Sequence, residues 1–177
     1  ALREADPERW EGMLVERIRE MSPTDPLIAP KVGGKEVAQR LVRDLHTNGG
    51  VHTESLMCVA GTLGGYSCQA AVRACSRADG VDENSVLTMV AMDNGESFFF
   101  GDALNGLLVE NELSLWSFAA GGAEACGCTD MLDLEDIFRH VAETVGTPNF
   151  GELRLPPNHL VHGTAIDYLD QLWPEYG

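Results

Sequence analysis

Between Glu54 and Arg73 the chain carries no charged side chain, and this stretch, SLMCVAGTLGGYSCQAAV, constrains the fold more than any other. Leu56, Val59, Ala60, Leu63, Tyr66 and Ala70 recur three or four apart, the spacing of a helix. Thr53 offers an N-cap acceptor, and Glu54 suits the positive end of a helix dipole. The pattern predicts one helix over about 54–76, apolar on all sides and therefore buried at the centre of the fold.

A competing reading ends a strand at Val59 to Gly61 and starts a helix at Ser67. Gly61, Gly64 and Gly65 then become a loop able to cradle a phosphate, which makes them the candidate cofactor-binding residues. Against it, the glycines do not follow the order G-x-G-x-x-G, and no lysine follows Lys35. In a single helix each glycine costs about 1 kcal/mol relative to alanine, so a closely approaching neighbour is expected to compensate. A membrane span is not expected: Thr62, Ser67 and Gln69 interrupt the stretch, Arg73 and Arg77 close it, and a span needs about 20 apolar residues.

The clearest local signal follows in SVLTMVAMDNGESFFFG, which reads as a β-hairpin over 86–92 and 97–101 with Asn94 and Gly95 as a two-residue turn. Pairing Asp93 with Glu96 puts Leu87, Met89, Ala91, Phe98 and Phe100 on one face. Val86, Thr88, Val90, Met92, Ser97 and Phe99 take the other. Both faces are apolar, so the ribbon needs cover or further strands.

The rest is helical. Asp6 and Pro7 start a helix carrying Trp10, Met13, Leu14, Ile18 and Met21 on one stripe. Pro23, Pro26 and Pro30 make an extended connector, and Gly33 and Gly34 open a helix with Val37, Leu41 and Leu45 that ends at Asn48, Gly49 and Gly50. GDALNGLLVEN is a helix capped by Asp102, with a strand over 107–110 as alternative. LSLWSFAAGG is a helix stopping at Gly121 and Gly122, and Asp133 to Val145 is a helix closed by Gly146. ELRL, 152–155, is a short strand, and a last helix holds Ile166, Leu169, Leu172 and Trp173. The expected class is α+β: a mostly helical single domain over 1–177, packed around the hairpin or a small antiparallel sheet.

Charge narrows the function. The net charge is -16, yet residues 1–77 hold ten of the twelve Lys and Arg beside ten acids, leaving two cations against eighteen acids in 78–177. Such a C-terminal part repels phosphate backbones and anionic lipid, which argues against nucleic-acid and membrane-surface roles. It leaves room for a basic protein partner. Five scattered cysteines make no disulfide framework, and no signal-peptide pattern precedes them, so a reducing cytoplasm is expected.

Candidates for chemistry are few. His52 and Glu54 flank Thr53 at a helix start, where a histidine beside a carboxylate can act as a general base or a metal ligand. Cys68 is a nucleophile candidate that lacks a histidine in sequence reach. Cys126 and Cys128, with His159 and His162 spaced i and i+3, make a Cys2His2 set if the chain brings them together. Each has a plainer reading: helix start, packing thiol, loop and cap residues. No cofactor is specified. The leading expectation is a non-catalytic interaction or binding module working as a homo-oligomer; the alternatives are a small-ligand pocket near His52 and Glu54, and a metal site at the cysteines.

Overall fold

The computed structural model describes residues 5–91, 95, 97–145 and 147. It is mostly helical with two small antiparallel ladders, an α+β architecture. The expected strand at 152–155 and last helix lie outside the described residues.

The uncharged stretch is one helix. This helix, α3, runs Thr53–Ala78, with Gly61, Gly64 and Gly65 all in its interior, so the strand, loop and helix reading gives way to the continuous one. It outlasts its expected end at 76 because the chain terminates it further on. Asp79 is the C-cap, and Gly80, at φ 68°, donates to Arg77 O while Val81 N donates to Ser76 O, the reciprocal pair of a Schellman cap. The close neighbour expected at the three glycines is found at Gly64 alone: a Cβ there meets the Leu115 side chain at 2.9 Å, whereas at Gly61 and Gly65 it meets nothing within 4 Å. Gly61→Ala and Gly65→Ala should therefore each raise the unfolding free energy by about 0.5–1 kcal/mol, read as a higher urea midpoint. A fall at either position overturns the open environment assigned to it.

Before α3 come α1, Pro7–Met21, and α2, Ile28–Asp44. Asp6 caps α1 by accepting from Arg9 N at 3.1 Å, as its sequence requires. Helix α2 starts five residues before Gly33, with Pro30 inside its first turn, where a missing N–H costs no helical bond. Asp25 accepts from the Lys31 ammonium at 2.7 Å and from the Leu27 N–H at 3.1 Å, which closes the turn between the helices; Lys31 above all holds its carboxyl below the usual range. Helix α2 also ends earlier than expected, and Asn48 and Gly49 instead connect two short strands, β1 (His46–Thr47) and β2 (Gly50–Val51), with His46 opposite Val51.

The second ladder pairs β3, Thr88–Ala91, with β4, Ser97–Phe100. Its expected first residue, Val86, instead ends the helical turn α4, Glu83–Val86, capped by Asp82. The register is one residue off the two-residue-turn expectation: Ala91 faces Ser97 and Val90 faces Phe98. A one-residue slip moves side chains across the sheet. Thr88, Val90, Phe98 and Phe100 now share a face, and Met89, Ala91, Ser97 and Phe99 the other. Among the described residues no further strand joins either ladder.

Helix α5, Asp102–Asn105, is preceded by Gly101 as N-cap, and Asp102 is its first residue with no capping bond from its side chain. It widens into a π-helical turn, Gly106–Glu110, where a strand was the alternative. Leu107 and Leu108 of this turn both pack against the second core cluster. Helix α6, Leu115–Ala125, runs past Gly121 and Gly122, because glycine stops a helix only where it takes a left-handed cap. Helix α7, Leu134–Thr144, is capped by Asp133, which accepts from Glu135 N at 2.9 Å.

The core consists of two small clusters strung along α3. Leu41, Leu45 and Val59 form one, joining α2 to the first half of α3, with Val37, Val51, Leu56, Cys58 and Leu63 around them. Val72, Leu87 and Leu104 form the other, joining the second half to the β3 end and α5. Helix α3 is thus the central element, but it is not buried on all sides as expected: the two clusters cover only the side carrying Val59 and Val72, and Met57 is 64% exposed. Among the described residues no helix is long and apolar enough to cross a membrane.

Candidate functional site

The start of α3 is built by His52. The residue before it, Val51, closes the β1–β2 ladder, and this leaves His52 at φ -75° and ψ 100° as N-cap, with Thr53 already inside the helix. The expected capping role of Thr53 passes to the imidazole. His52 Nδ1 accepts the Ser55 N–H at 3.3 Å and lies 2.9 Å from Ser55 Oγ, so Nδ1 is the unprotonated nitrogen in this arrangement. Ser55 is buried at 3% exposure. Glu54 occupies the second position of the same turn. Nδ1 is committed to the Ser55 turn that starts α3.

Cys68 lies on α3 against the second cluster, and burial pushes its thiol, like that of Cys58, above the usual cysteine range. Desolvation of this kind lowers the thiolate fraction that a nucleophile needs. The described histidines lie at 46, 52 and 140, and Cys68 bonds to none of them. Interior helix positions spend the backbone N–H groups of Gly61, Gly64 and Gly65 on helical bonds, the donors that a phosphate cradle requires.

Cys126 and Cys128 belong to the end of α6. Gly127, at φ 88°, donates to Glu124 O at 2.8 Å, and Cys128 N donates to Ala123 O at 2.9 Å, a second Schellman cap. Cys-Gly-Cys is therefore a helix stop, with Cys126 as C-cap, and both thiols are free and exposed. Cys128 Sγ contacts Asp130 O at 3.5 Å. His159 and His162 lie outside the described residues. Among the described residues no group of three or more His, Cys, Asp or Glu converges on one point.

Sequence reasoning missed a polar groove on the flank of α3. Tyr66, Gln69, Ala70, Arg73 and Arg77 line it, enclosing about 250 Å³. Their spacing was the available signal: 66, 69, 70, 73 and 77 share one helical face. Arg73 donates from Nη1 to Glu83 Oε2, and Arg77 from Nε to Glu83 Oε1 at 2.7 Å. The Arg73 guanidinium stands 4.6 Å from the centre of the Phe99 ring. The two guanidinium groups hold the Glu83 carboxyl below the usual glutamate range, Arg77 contributing most. An apolar cleft of about 340 Å³ lies on another side of the helix, between Val72, Cys75, Val81, Val86, Ala103 and Leu107.

A third feature is a surface without charge. From Leu113 to Ala123 no side chain is ionisable, and α6 buries none of its residues. Ser114 caps it, accepting from Ser117 N at 3.2 Å. Leu113 is 75% exposed and Phe118 67%, with Leu115 and Ala119 also facing solvent.

Fold and sites together define a mostly helical α+β protein with an ion-paired groove on its central helix and an uncharged helix on its surface. No family model, curated protein or solved structure matches the chain.

Proposed function

We propose that the protein is a non-catalytic interaction module that works as a homo-oligomer, with the outer face of α6 as the contact between copies. The observation that carries this reading is the exposed run of Leu113, just before the α6 cap, with Leu115 and Phe118 on the helix itself, and no ionisable group between Leu113 and Glu124. Exposed apolar patches of this kind mark association surfaces in soluble proteins. The charge argues for a second copy as the occupant. A chain at net -16 repels itself wherever acids meet acids, and the 113–123 stretch is where two copies can touch without bringing like charges together. Ala119, Ala120, Gly121 and Gly122 let a partner backbone come close.

Sedimentation velocity over a hundredfold concentration range tests this. The wild-type mass should rise toward a dimer, and Phe118→Asp should weaken the association by about thirtyfold or more, the loss expected of a central aromatic anchor. Phe118 is too exposed for its loss to unfold the chain, so unfolding midpoints should match. A wild-type protein that stays monomeric at several hundred micromolar overturns the reading.

A further inference from the structure

We propose that the groove along α3 between Tyr66 and Arg77 binds a small phosphomonoester, its phosphate on Arg73 and Arg77 and its body along Gln69 and Tyr66. This ligand site is independent of the α6 contact.

Two guanidinium groups share one carboxylate there, which leaves a local surplus of positive charge in an otherwise acidic chain. Each guanidinium offers five N–H donors and gives one to Glu83, and both arginines line the groove. Arg73 is also pre-positioned: its side chain is only 24% exposed, gripped by Glu83 at one edge and stacked over Phe99. Pre-ordering of this kind lowers the entropy lost on binding.

The groove then limits the ligand. Tyr66 and Arg77 are eleven residues apart, about 16 Å along a helix, so a bare phosphate fills only the arginine end. A volume of about 250 Å³ lies below the roughly 300–1,000 Å³ of pockets that take drug-sized molecules, which restricts the occupant to fragment size. A phosphomonoester carries close to two negative charges at neutral pH. It therefore competes with the single charge of Glu83 better than a carboxylate does. Tyr66 supplies a ring face at the far end, and Gln69 an amide between.

Calorimetric titration of the full chain at low salt, with phenyl phosphate, inorganic phosphate and benzoate as probes, tests the assignment. Phenyl phosphate should bind one per chain and most tightly, with inorganic phosphate weaker and benzoate weakest. Arg77→Gln should weaken phenyl phosphate by about tenfold or more, since it removes charge-assisted donors. Glu83→Gln should strengthen it severalfold by removing the competing carboxylate. Tyr66→Ala should bring phenyl phosphate down to the level of inorganic phosphate. Benzoate binding as tightly as phenyl phosphate overturns the phosphate assignment. Wild-type affinity in Arg77→Gln, or no heat with any probe, overturns the site.

Discussion

Gly101→Ala should lower the unfolding free energy by about 1–3 kcal/mol, the range for forcing an extra methyl into a packed site. The backbone conformation is not the cause, since φ 160° and ψ 153° are extended values that alanine adopts freely. The cause is the Val86 carbonyl. A Cβ on Gly101 falls onto Val86 O, with Val86 C 3.4 Å and Leu87 Cα 3.7 Å away, and all three are main-chain atoms. A side chain could rotate aside; a backbone cannot. Either α4 must shift, or β4 must draw back from β3. Both movements strain Leu87, which is 4% exposed in the second cluster. Gly101 O also accepts from Leu104 N at 3.0 Å and Asn105 N at 2.9 Å, so a displaced Gly101 disturbs the start of α5 too. Gly64→Ala is the control, because its new methyl meets only the flexible end of Leu115. Urea unfolding of the two variants separates them. If Gly101→Ala unfolds within 0.5 kcal/mol of wild type, on the order of an ordinary surface change, the close approach of Gly101 to Val86 is not as described.

Much of this architecture is legible in the sequence, and the reasons for the exceptions are physical. Helix α3 can be read because its apolar residues recur three to four apart with no charge to interrupt them. Its end cannot be read from periodicity, since the last turns carry Cys75, Arg77 and Ala78, and only Gly80 marks the stop. The hairpin is visible in its alternating apolar residues, while its register depends on the connection, and Asn-Gly suggests a shorter turn than the observed pairing of Ala91 with Ser97 allows. Prolines misplace the start of α2 because Pro30 reads as a breaker, whereas in a first turn it is neutral. Two-residue strands such as β1 and β2 are too short for any periodic signal.

The functional residues follow the same logic. His52 is legible as a helix start, but its imidazole takes the capping role because the β1–β2 reversal ends directly before it. Cys-Gly-Cys reads as a ligand pair with a spacer, and its second role, a helix stop built on the left-handed Gly127, is not marked by any periodicity. The groove on α3 escapes because Glu83, which joins the two arginines, comes back to them only through the reversal at Gly80. Tyr66, Gln69, Arg73 and Arg77 on one face of an otherwise apolar helix were its visible half.

The largest loss of stability is expected from Leu45→Ala, at about 2–5 kcal/mol. Leu45 is 0% exposed and caps α2, its N–H donating to Leu41 O at 3.0 Å while its side chain completes the cluster with Leu41 and Val59. The described core holds only two such clusters, so a cavity here removes a large part of what ties α2 to α3. Domains of this kind are stable by about 5–15 kcal/mol in total, and a loss of this size consumes much of that margin. The consequence reaches the candidate site. Leu45 directly precedes β1, and Val51, which packs on the same cluster, directly precedes His52. Loosening the cluster therefore frees the reversal that aims the imidazole at Ser55. Amide exchange at the Ser55 N–H should accelerate in Leu45→Ala by more than at Ser76, which lies on the second cluster's half of α3. Equal acceleration at both positions would mean that the two clusters unfold as one unit; a stability loss under 1 kcal/mol would mean that α2 is not anchored through Leu45. Selective opening at Ser55 would establish that the His52 turn draws its order from the α2 cluster, independently of the groove that begins at Tyr66, about three turns further along the helix.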